Sequence, residues 1–165
     1  MLIYEDILRA FQRQKVKYVV VGGIAVNLLG SLRSTADIDI LAEMTDVNLK
    51  KIVRILKSKG YYAKQPVDPM CLADEKIRQD WIDKKHMKAF NFYKKNSLNE
   101  LDIIIDSPVT YEKATKSCKY FKCAGIRIPV ISVNNLIKMK SVSSRPLDKI
   151  DLEVLRMIKR MRNEK

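Results

Sequence analysis

The sequence predicts a mixed α/β fold (α+β in type), in which a mixed twisted sheet is flanked by helices. Short runs of β-branched residues end at glycine or polar turns, as strands do. Longer stretches with apolar residues three or four positions apart are typical of amphipathic helices. The two patterns alternate along 165 residues, the length of one compact domain. We expect a core over residues 1–140 and a short C-terminal helical tail over residues 141–165 that packs on this core.

The first half of the chain alternates helices with strands. The predicted elements are a helix over 3–14, a strand over 18–21, a short apolar helix over 24–31, a strand over 36–41, a helix over 46–59 and a strand over 61–65. Asp46 is predicted to cap the start of the last of these helices, and Gly60 to follow its end. The strand over 36–41 alternates acidic and apolar residues, so it presents two different faces.

The second half continues the same alternation. The predicted elements are a helix over 72–85, strands over 87–93 and 100–106, a short helix over 109–117, strands over 119–124 and 126–131, and a helix over 133–140. A loop over 141–146 then leads to a last amphipathic helix that runs to about residue 162. Ala124-Gly125 is predicted to turn the final hairpin, and Ser132 to cap the helix after it. The residues predicted to face inward on the last helix are Ile150, Val154, Leu155 and Ile158.

The charge of the chain is strongly positive and unevenly distributed. Lys and Arg total 32 and Asp and Glu total 19, which gives a net charge of +13. Residues 1–44 are neutral, whereas residues 45–100 carry +6 and residues 101–165 carry +7. A chain this basic is expected to meet polyanions such as nucleotides or nucleic acid.

The cysteine and histidine content excludes several classes of protein. Three cysteines and one histidine, His86, argue against a zinc finger and a disulfide scaffold, and the shortage of histidine also disfavours a Ser-His-Asp enzyme. We therefore expect a reducing, cytoplasmic location. The longest uncharged run, residues 18–32, is too short to cross a bilayer, so no membrane partner is expected.

Two carboxylates on one strand are the most informative feature. Asp37 and Asp39 are two residues apart, so they face the same side of a strand while Ile38 and Ile40 face the core. Two like charges this close repel each other, and burial makes the repulsion worse. A divalent cation relieves that cost, and oxygen-only ligands suit magnesium.

Other motifs surround this pair in the sequence. Asp102 lies in a second apolar strand, where an unpaired charge is costly, and it would supply a third carboxylate if the strands are neighbours. Gly22-Gly23 ends a strand and opens a helix, so its backbone amides can approach a phosphate closely. Arg33, Ser34 and Thr35 follow, and they could contact phosphate oxygens.

These motifs resemble those of the nucleotidyltransferase superfamily that includes DNA polymerase β. Its pattern is an apolar strand, Gly-Gly or Gly-Ser, then Asp-x-Asp, and a third acid on a later strand. The stretch Arg33-Ser34-Thr35-Ala36-Asp37-Ile38-Asp39 is most similar to AbiEii-like, toxin-type and related small nucleotidyltransferases. Their C-terminal pattern of a helix lysine, an arginine and two aspartates is also present. The matching residues are Lys138 or Lys140, Arg145, Asp148 and Asp151.

The resemblance implies a nucleotidyltransferase fold and a role for each matching residue. Asp37, Asp39 and Asp102 would hold Mg²⁺ or Mn²⁺, and Asp102 would also act as the base. Lys140 would neutralise nucleotide phosphates, with Lys138 as an alternative because the two face different sides of a helix. The residues expected to bind the NTP are Gly22, Gly23, Arg33, Thr35, Lys140 and Asp148.

The expected function is transfer of an NMP unit from an NTP to a hydroxyl or phosphate acceptor, by in-line attack assisted by two magnesium ions. RNA, tRNA in particular, is the expected acceptor. A toxin–antitoxin partner or a homodimer is the expected assembly. Two alternatives stay open: a non-catalytic, antitoxin-like or nucleic-acid-binding module on the same fold, and an enzyme that modifies small-molecule antibiotics. The sequence leaves undetermined which NTP is used.

Overall fold

The computed structural model describes residues 3–162, in which seven strands form one mixed sheet. The strands are β1 (Tyr18–Val21), β2 (Ile38–Ala42), β3 (Tyr61–Ala63), β4 (Ala89–Lys94), β5 (Glu100–Ile104), β6 (Lys119–Cys123) and β7 (Ile126–Val130). Their order across the sheet is β3-β4-β5-β2-β1-β7-β6. The pairs β2–β5 and β1–β7 are parallel and the others are antiparallel. The predicted mixed α/β class is confirmed.

Helices cover both faces of this sheet. They are α1 (Glu5–Arg13), α2 (Gly22–Leu29), α3 (Asp46–Ser58), α4 (Glu75–Lys85), α5 (Tyr111–Lys116), α6 (Val133–Ser141) and α7 (Pro146–Met161), with a 3₁₀ turn at Pro69–Ala73. Trp81 of α4 stacks on Phe90 of β4, which fixes α4 on one face. Within residues 3–162, no helix is long and apolar enough to cross a membrane.

The central strands have one apolar face and one polar face. Ile38 and Ile40 of β2 pair with Leu101 and Ile103 of β5, and all four side chains are buried. This row lies on the α4 side with Phe90 and Phe92, which are fully buried. The alternate residues of these strands therefore face the other side of the sheet, where α6 and α7 lie.

Local signals in the sequence place several element boundaries correctly. The turn Ala124-Gly125 has the two positive φ angles, 50° and 74°, of a tight hairpin, and the hydroxyl of Ser132 caps α6, as predicted. The cap of α3 differs from the prediction. Thr45, and not Asp46, is the N-cap: its hydroxyl oxygen accepts a hydrogen bond from the backbone amide of Asn48, because its side chain lies just outside the first turn.

Helix α7 buries Leu155 and Ile158, as its apolar spacing predicted, and Val154 is partly buried. Ile150, also expected inward, is instead 57% exposed, whereas Asp148 and Asp151 are buried. The two acids face inward because each pairs with a basic side chain, Asp148 with Lys140 of α6 and Asp151 with Arg33 of the loop after α2. Residues 163–165 of the predicted tail lie outside the described residues.

Candidate active site

The polar face of the sheet brings two of the predicted acids together. Asp39 of β2 and Asp102 of β5 are direct partners across the parallel pair, so their side chains point to the same face. Asn91 of β4 is in turn the partner of Asp102 on its other side. A row of three polar side chains thus crosses the middle of the sheet.

The surroundings of Asp39 favour its neutral form in the free protein. Burial and, after it, the nearby carboxylates of Asp102 and Asp37 raise the pKa of Asp39 to about 7, although Lys140 and Arg145 oppose the increase. Burial likewise raises the pKa of Asp102, against a hydrogen bond from Asn91. Such paired, perturbed carboxyl groups are typical of functional sites.

Asp37 occupies the rim of this site and not its centre. It directly precedes β2, beside Glu100 at the start of β5. Burial raises the pKa of Asp37, as does Glu100, and Lys64 counteracts both. Among residues 3–162, no three His, Cys, Asp or Glu side chains are grouped closely enough to surround a metal ion.

The donor atoms nonetheless fit a divalent cation. The Oδ1 atom of Asp102 is buried and has no hydrogen-bond partner, which is costly for a carboxylate unless a cation binds there. The pair supplies only oxygen ligands, and magnesium completes its shell with water and substrate phosphates. Asp39 and Asp102 are therefore the residues that fit such an ion, with Asp37 next to them along β2.

Gly22 allows the acidic strand to approach the start of α2. It has a φ of +66°, and a Cβ atom added there would overlap the carboxyl group of Asp39. Only glycine provides both the left-handed backbone and this space. The first helical amides of α2 consequently lie directly beside the acidic pair.

Replacing Gly22 with alanine is expected to destabilise the protein by about 3 kcal/mol, because backbone strain and the overlap with Asp39 add together. Gly125→Ala is the matched control. Its φ is +74°, but nothing lies within 4 Å of the new Cβ, so about 1 kcal/mol of backbone strain is the whole expected cost. Urea unfolding of both variants measures the difference. Equal losses of unfolding free energy in the two variants would show that the close approach of Gly22 to Asp39 adds nothing to the cost of the substitution.

A cavity of about 650 Å³ opens over the acidic pair. Its lining includes Gly22, Asp39 and Asp102 from the sheet side, and Lys140 and Asp148 from α6 and α7. Lys138 is exposed and lies outside the lining, so Lys140 is the lysine that meets this cavity. Opposite charges thus face each other across a space large enough for a nucleotide.

Lys140 is held by an ion network that crosses three elements. Its Nζ atom lies 2.6 Å from Oδ1 of Asp148 and 2.8 Å from Oδ2 of Asp151. Asp148 also accepts hydrogen bonds from Ser143 and Arg145, at 2.6 and 2.9 Å. Although burial raises the pKa of Asp148, these donors lower it to about 2. An ammonium group has three protons, so one remains for a ligand after the two aspartates are satisfied.

Arg33 and Thr35 lie outside the cavity lining, next to Asp151 of α7 and Gly23 of α2. The Nη1 atom of Arg33 lies 2.7 Å from Oδ2 of Asp151, and a Cβ atom on Gly23 would meet the Arg33 guanidinium and the Thr35 hydroxyl. Neither side chain lines the cavity over Asp39, and Gly23 is buried. The structure therefore separates these three predicted phosphate ligands from Gly22, which does reach the cavity.

The profile of a family described as "Nucleotidyltransferase of unknown function (DUF6036)" matches residues 1–165. The chain belongs to this nucleotidyltransferase family. It is therefore an enzyme of the nucleotidyltransferase class, as the sequence predicted. No curated protein matches the chain.

Solved structures share the fold of this nucleotidyltransferase at low sequence identity. The lincosamide antibiotic adenylyltransferase LnuA, bound to lincomycin, has a TM-score of 0.60 and 20% identity, over 92% of this chain and 93% of that one. ANT(2")-Ia, in complex with adenylyl-2"-tobramycin, has a TM-score of 0.57 and 14% identity, over 98% and 93%. A Thermotoga maritima protein assigned as a nucleotidyltransferase has a TM-score of 0.55 and 17% identity, over 99% of this chain and 92% of that one. The predicted nucleotidyltransferase fold is confirmed.

Two residues of the candidate site carry no role in the sequence-based prediction. Asn91 lines the cavity and bonds to Asp102, and its signal is a lone amide between Phe90 and Phe92 in an apolar strand. Arg145 matches the C-terminal motif, and the structure shows that its side chain lines the cavity and pairs with Asp148. An arginine on a loop carries no periodic signal, so only the folded chain shows where its charge lies.

Proposed function

We propose that this nucleotidyltransferase moves an NMP unit from an NTP to a hydroxyl of an RNA acceptor, with Mg²⁺ or Mn²⁺ as the cofactor. One observation carries the proposal: Asp39 and Asp102 are direct cross-strand partners that line a cavity together with Gly22, which lies beside Asp39, and with Lys140 of α6. Acids next to phosphate-binding groups in one cavity are what nucleotidyl transfer needs.

The nucleotide binds on the side of α2 and α6. Gly22 places the first amides of α2 where they can donate to the triphosphate, and Lys140 adds a positive charge within the same cavity. Asp148 and Asp151 keep the Lys140 ammonium in place, so its charge is oriented before the substrate arrives. Arg145, 80% exposed along its side chain, can swing onto the phosphates while its neighbours stay fixed.

The acids act on the floor of the same cavity. Asp39 and Asp102, with Asp37 beside them, would hold the divalent cations, which when bound would neutralise the negative charge that develops on the α-phosphate. Asp102 accepts the proton of the attacking hydroxyl. The acceptor oxygen forms a bond to the α-phosphorus as the bond to the bridging oxygen breaks, and pyrophosphate leaves with the electron pair.

The RNA acceptor is supported by charge. The neutral segment 1–44 carries Asp37 and Asp39, whereas the remaining segments carry the whole net charge of +13. A positively charged surface around an acidic centre attracts a polyanion and repels a cationic drug. The resemblance of the sequence motifs to those of AbiEii-like enzymes adds a toxin–antitoxin partner to the proposal, and the cysteine content adds a cytoplasmic location.

The test is incubation of the enzyme with each α-labelled NTP, magnesium and total RNA. We expect one NTP to label RNA, and we expect Asp102→Asn to lower the rate by about 10²–10⁴-fold, since the variant keeps the shape but loses the base. A chelator should abolish labelling. Undiminished labelling by Asp102→Asn would contradict the mechanism.

A second candidate function follows from the solved structures. LnuA and ANT(2")-Ia share this fold in structures that contain lincomycin and adenylyl-tobramycin, so a neutral or cationic antibiotic is the alternative acceptor. Pyrophosphate release that depends on added lincosamide or aminoglycoside, and not on RNA, would favour it. Binding of RNA without magnesium-dependent NTP binding would instead favour a non-catalytic module.

A further inference from the structure

Two tyrosines continue the polar face of the sheet beyond the acids. Tyr62 of β3 and Tyr93 of β4 are cross-strand partners, and Tyr93 is also the partner of Glu100 on β5. Tyr93 is two residues from Asn91, so both point to the face that carries Asp102. Tyr62 and Tyr93, named here the tyrosine strip, thus lie on the same face as the acids and one pleat further along.

The strip is close enough to serve the same reaction. Neighbouring strands lie about 4.8 Å apart and two residues span about 6.7 Å, so the Cα atoms of Tyr93 and Tyr62 are roughly 8 and 12 Å from that of Asp102. The terminal nucleotides of a strand span such distances. The strip also lies on the β5–β4 side of Asp102, away from the Gly22 and Lys140 side where the nucleotide is proposed to bind.

The strip combines aromatic rings with lysines. The two ring centroids are 6.0 Å apart, and Tyr62 is 49% exposed. Lys95 Nζ lies 4.9 Å from the centre of the Tyr62 ring, and Lys64 Nζ lies 2.5 Å from a carboxylate oxygen of Glu100. The rings also line a depression of about 640 Å³ that Lys57 borders. Exposed aromatics between lysines are the pattern that binds single-stranded nucleic acid, because the rings stack on bases while the lysines meet phosphates.

The exposure of the strip follows from strand alternation. Phe90 and Phe92, on the same strand as Tyr93, face the buried apolar layer, whereas Tyr93 faces the side that carries Asp102. Two lysines beside the strip are paired with acids, Lys64 with Glu100 and Lys57 with Asp68, which leaves no net acidic charge there. Lys95 adds a positive charge over the Tyr62 ring, and the segment 45–100 that contains both tyrosines carries a net charge of +6.

We infer that the tyrosine strip is the binding site for the last bases of a single-stranded RNA acceptor, whose terminal hydroxyl then reaches Asp102. This inference rests on the proposed function. It adds that the acceptor is held by stacking on Tyr62 and Tyr93, with Lys95 moving from the Tyr62 ring to a phosphate. Because every base has an aromatic face, the strip selects single-stranded ends and not a sequence.

The experiment measures binding of a short fluorescein-labelled single-stranded RNA by anisotropy. The Tyr62→Ala/Tyr93→Ala double variant is expected to bind at least about tenfold more weakly than the wild type, as loss of base stacking predicts. Tyr120→Ala is the matched control. Tyr120 is 52% exposed on the opposite edge strand, with Arg127 3.8 Å from its ring centre, so its loss should leave binding unchanged.

Two further measurements separate stacking from folding and from catalysis. Tyr62→Trp/Tyr93→Phe keeps both aromatic faces and should retain wild-type binding. NTP binding by calorimetry should be equal in all variants, because the strip lies outside the cavity over Asp39. Equal RNA affinity of the wild type and the double alanine variant would overturn the inference and leave the proposed transfer intact. Absence of both RNA binding and RNA labelling by the wild type would overturn both.

Discussion

Asp39→Asn is expected to abolish nucleotidyl transfer and to raise the stability of the metal-free protein. Asp39 lies in the cavity with the negative charges of Asp102 and Asp37 nearby, and these and its burial raise its pKa to about 7. The ionised carboxylate therefore destabilises the metal-free protein at alkaline pH, and a neutral amide of the same shape removes this destabilisation. At pH 8 we expect a gain of about 2–4 kcal/mol, the free energy that a shift of this size represents.

The pH dependence of stability gives the sign of this effect. The pKa of Asp39 is higher in the folded protein than its ordinary value of 3.8. The free energy of unfolding contributed by this group is therefore fully present below about pH 4 and is lost as the pH rises through about 7. The melting temperature of the metal-free wild type should fall over this range relative to that of Asp39→Asn.

Thermal unfolding from pH 5 to 8 and the RNA-labelling assay check this prediction together. Asp80→Asn is the control, since Asp80 is exposed on α4 and only pairs with Lys84, and it should change stability by less than about 0.5 kcal/mol. A variant that is inactive but no more stable than the wild type at pH 8 would show that the ionised Asp39 carboxylate does not destabilise the folded protein.

Lys140→Met is expected to cost about 3–5 kcal/mol of stability and most of the NTP affinity. Asp148 and Asp151 are 4% and 3% exposed, and both are within 2.8 Å of the Lys140 ammonium. Methionine fills a similar volume but leaves two buried carboxylates with too few positive charges. Removing one partner of a buried ion pair is strongly destabilising, because the remaining charge is buried without compensation. The loss exceeds that of an ordinary surface substitution several-fold.

Lys138→Met is the matched control, because Lys138 lies two residues earlier on α6 and is exposed. Urea unfolding should show almost no change for it. The triple variant Lys140→Met/Asp148→Asn/Asp151→Asn should recover much of the lost stability, because no buried charge is left unpaired, but it should not recover NTP binding. Similar stabilities of Lys140→Met and Lys138→Met would disprove the network's role.

The network also has a pH signature opposite to that of Asp39. The pKa of Asp148 is lowered from 3.8 to about 2 in the folded protein. Its contribution to stability is therefore complete above about pH 4 and is lost only as the pH falls toward 2. Ionisation of Asp39 thus lowers the stability as the pH rises, whereas protonation of Asp148 lowers it as the pH falls.

The acidic centre could be predicted from the sequence because strands have a period of two. Asp39 alternates with Ile38 and Ile40, and Asp102 alternates with Leu101 and Ile103, so each carboxylate had to lie opposite the core. The choice between Lys138 and Lys140 could not be made this way. It depends on which side of α6 meets α7, and this is a property of packing.

Helix α7 shows the limit more clearly. Apolar spacing correctly places Leu155 and Ile158 inside, but it also places Ile150 there and misses the buried Asp148 and Asp151. Sequence periodicity counts apolar residues and treats an acid as a surface residue. Here the free energy of pairing with Lys140 and Arg33 outweighs the burial of one isoleucine, and those partners lie 8 and 118 residues away along the chain.

The wide separation of Arg33 and Asp151 along the chain has a consequence for biosynthesis. Arg33 is synthesised close to Gly22 and Asp39, whereas Asp151 follows 118 residues after Arg33. Until α7 emerges, Lys140 and Arg33 lack the counter-ions that they pair with in the folded protein. The nascent chain therefore contains the proposed catalytic acids before the proposed nucleotide-binding lysine is held in place. A chain interrupted before α7 is expected to lack this ion network.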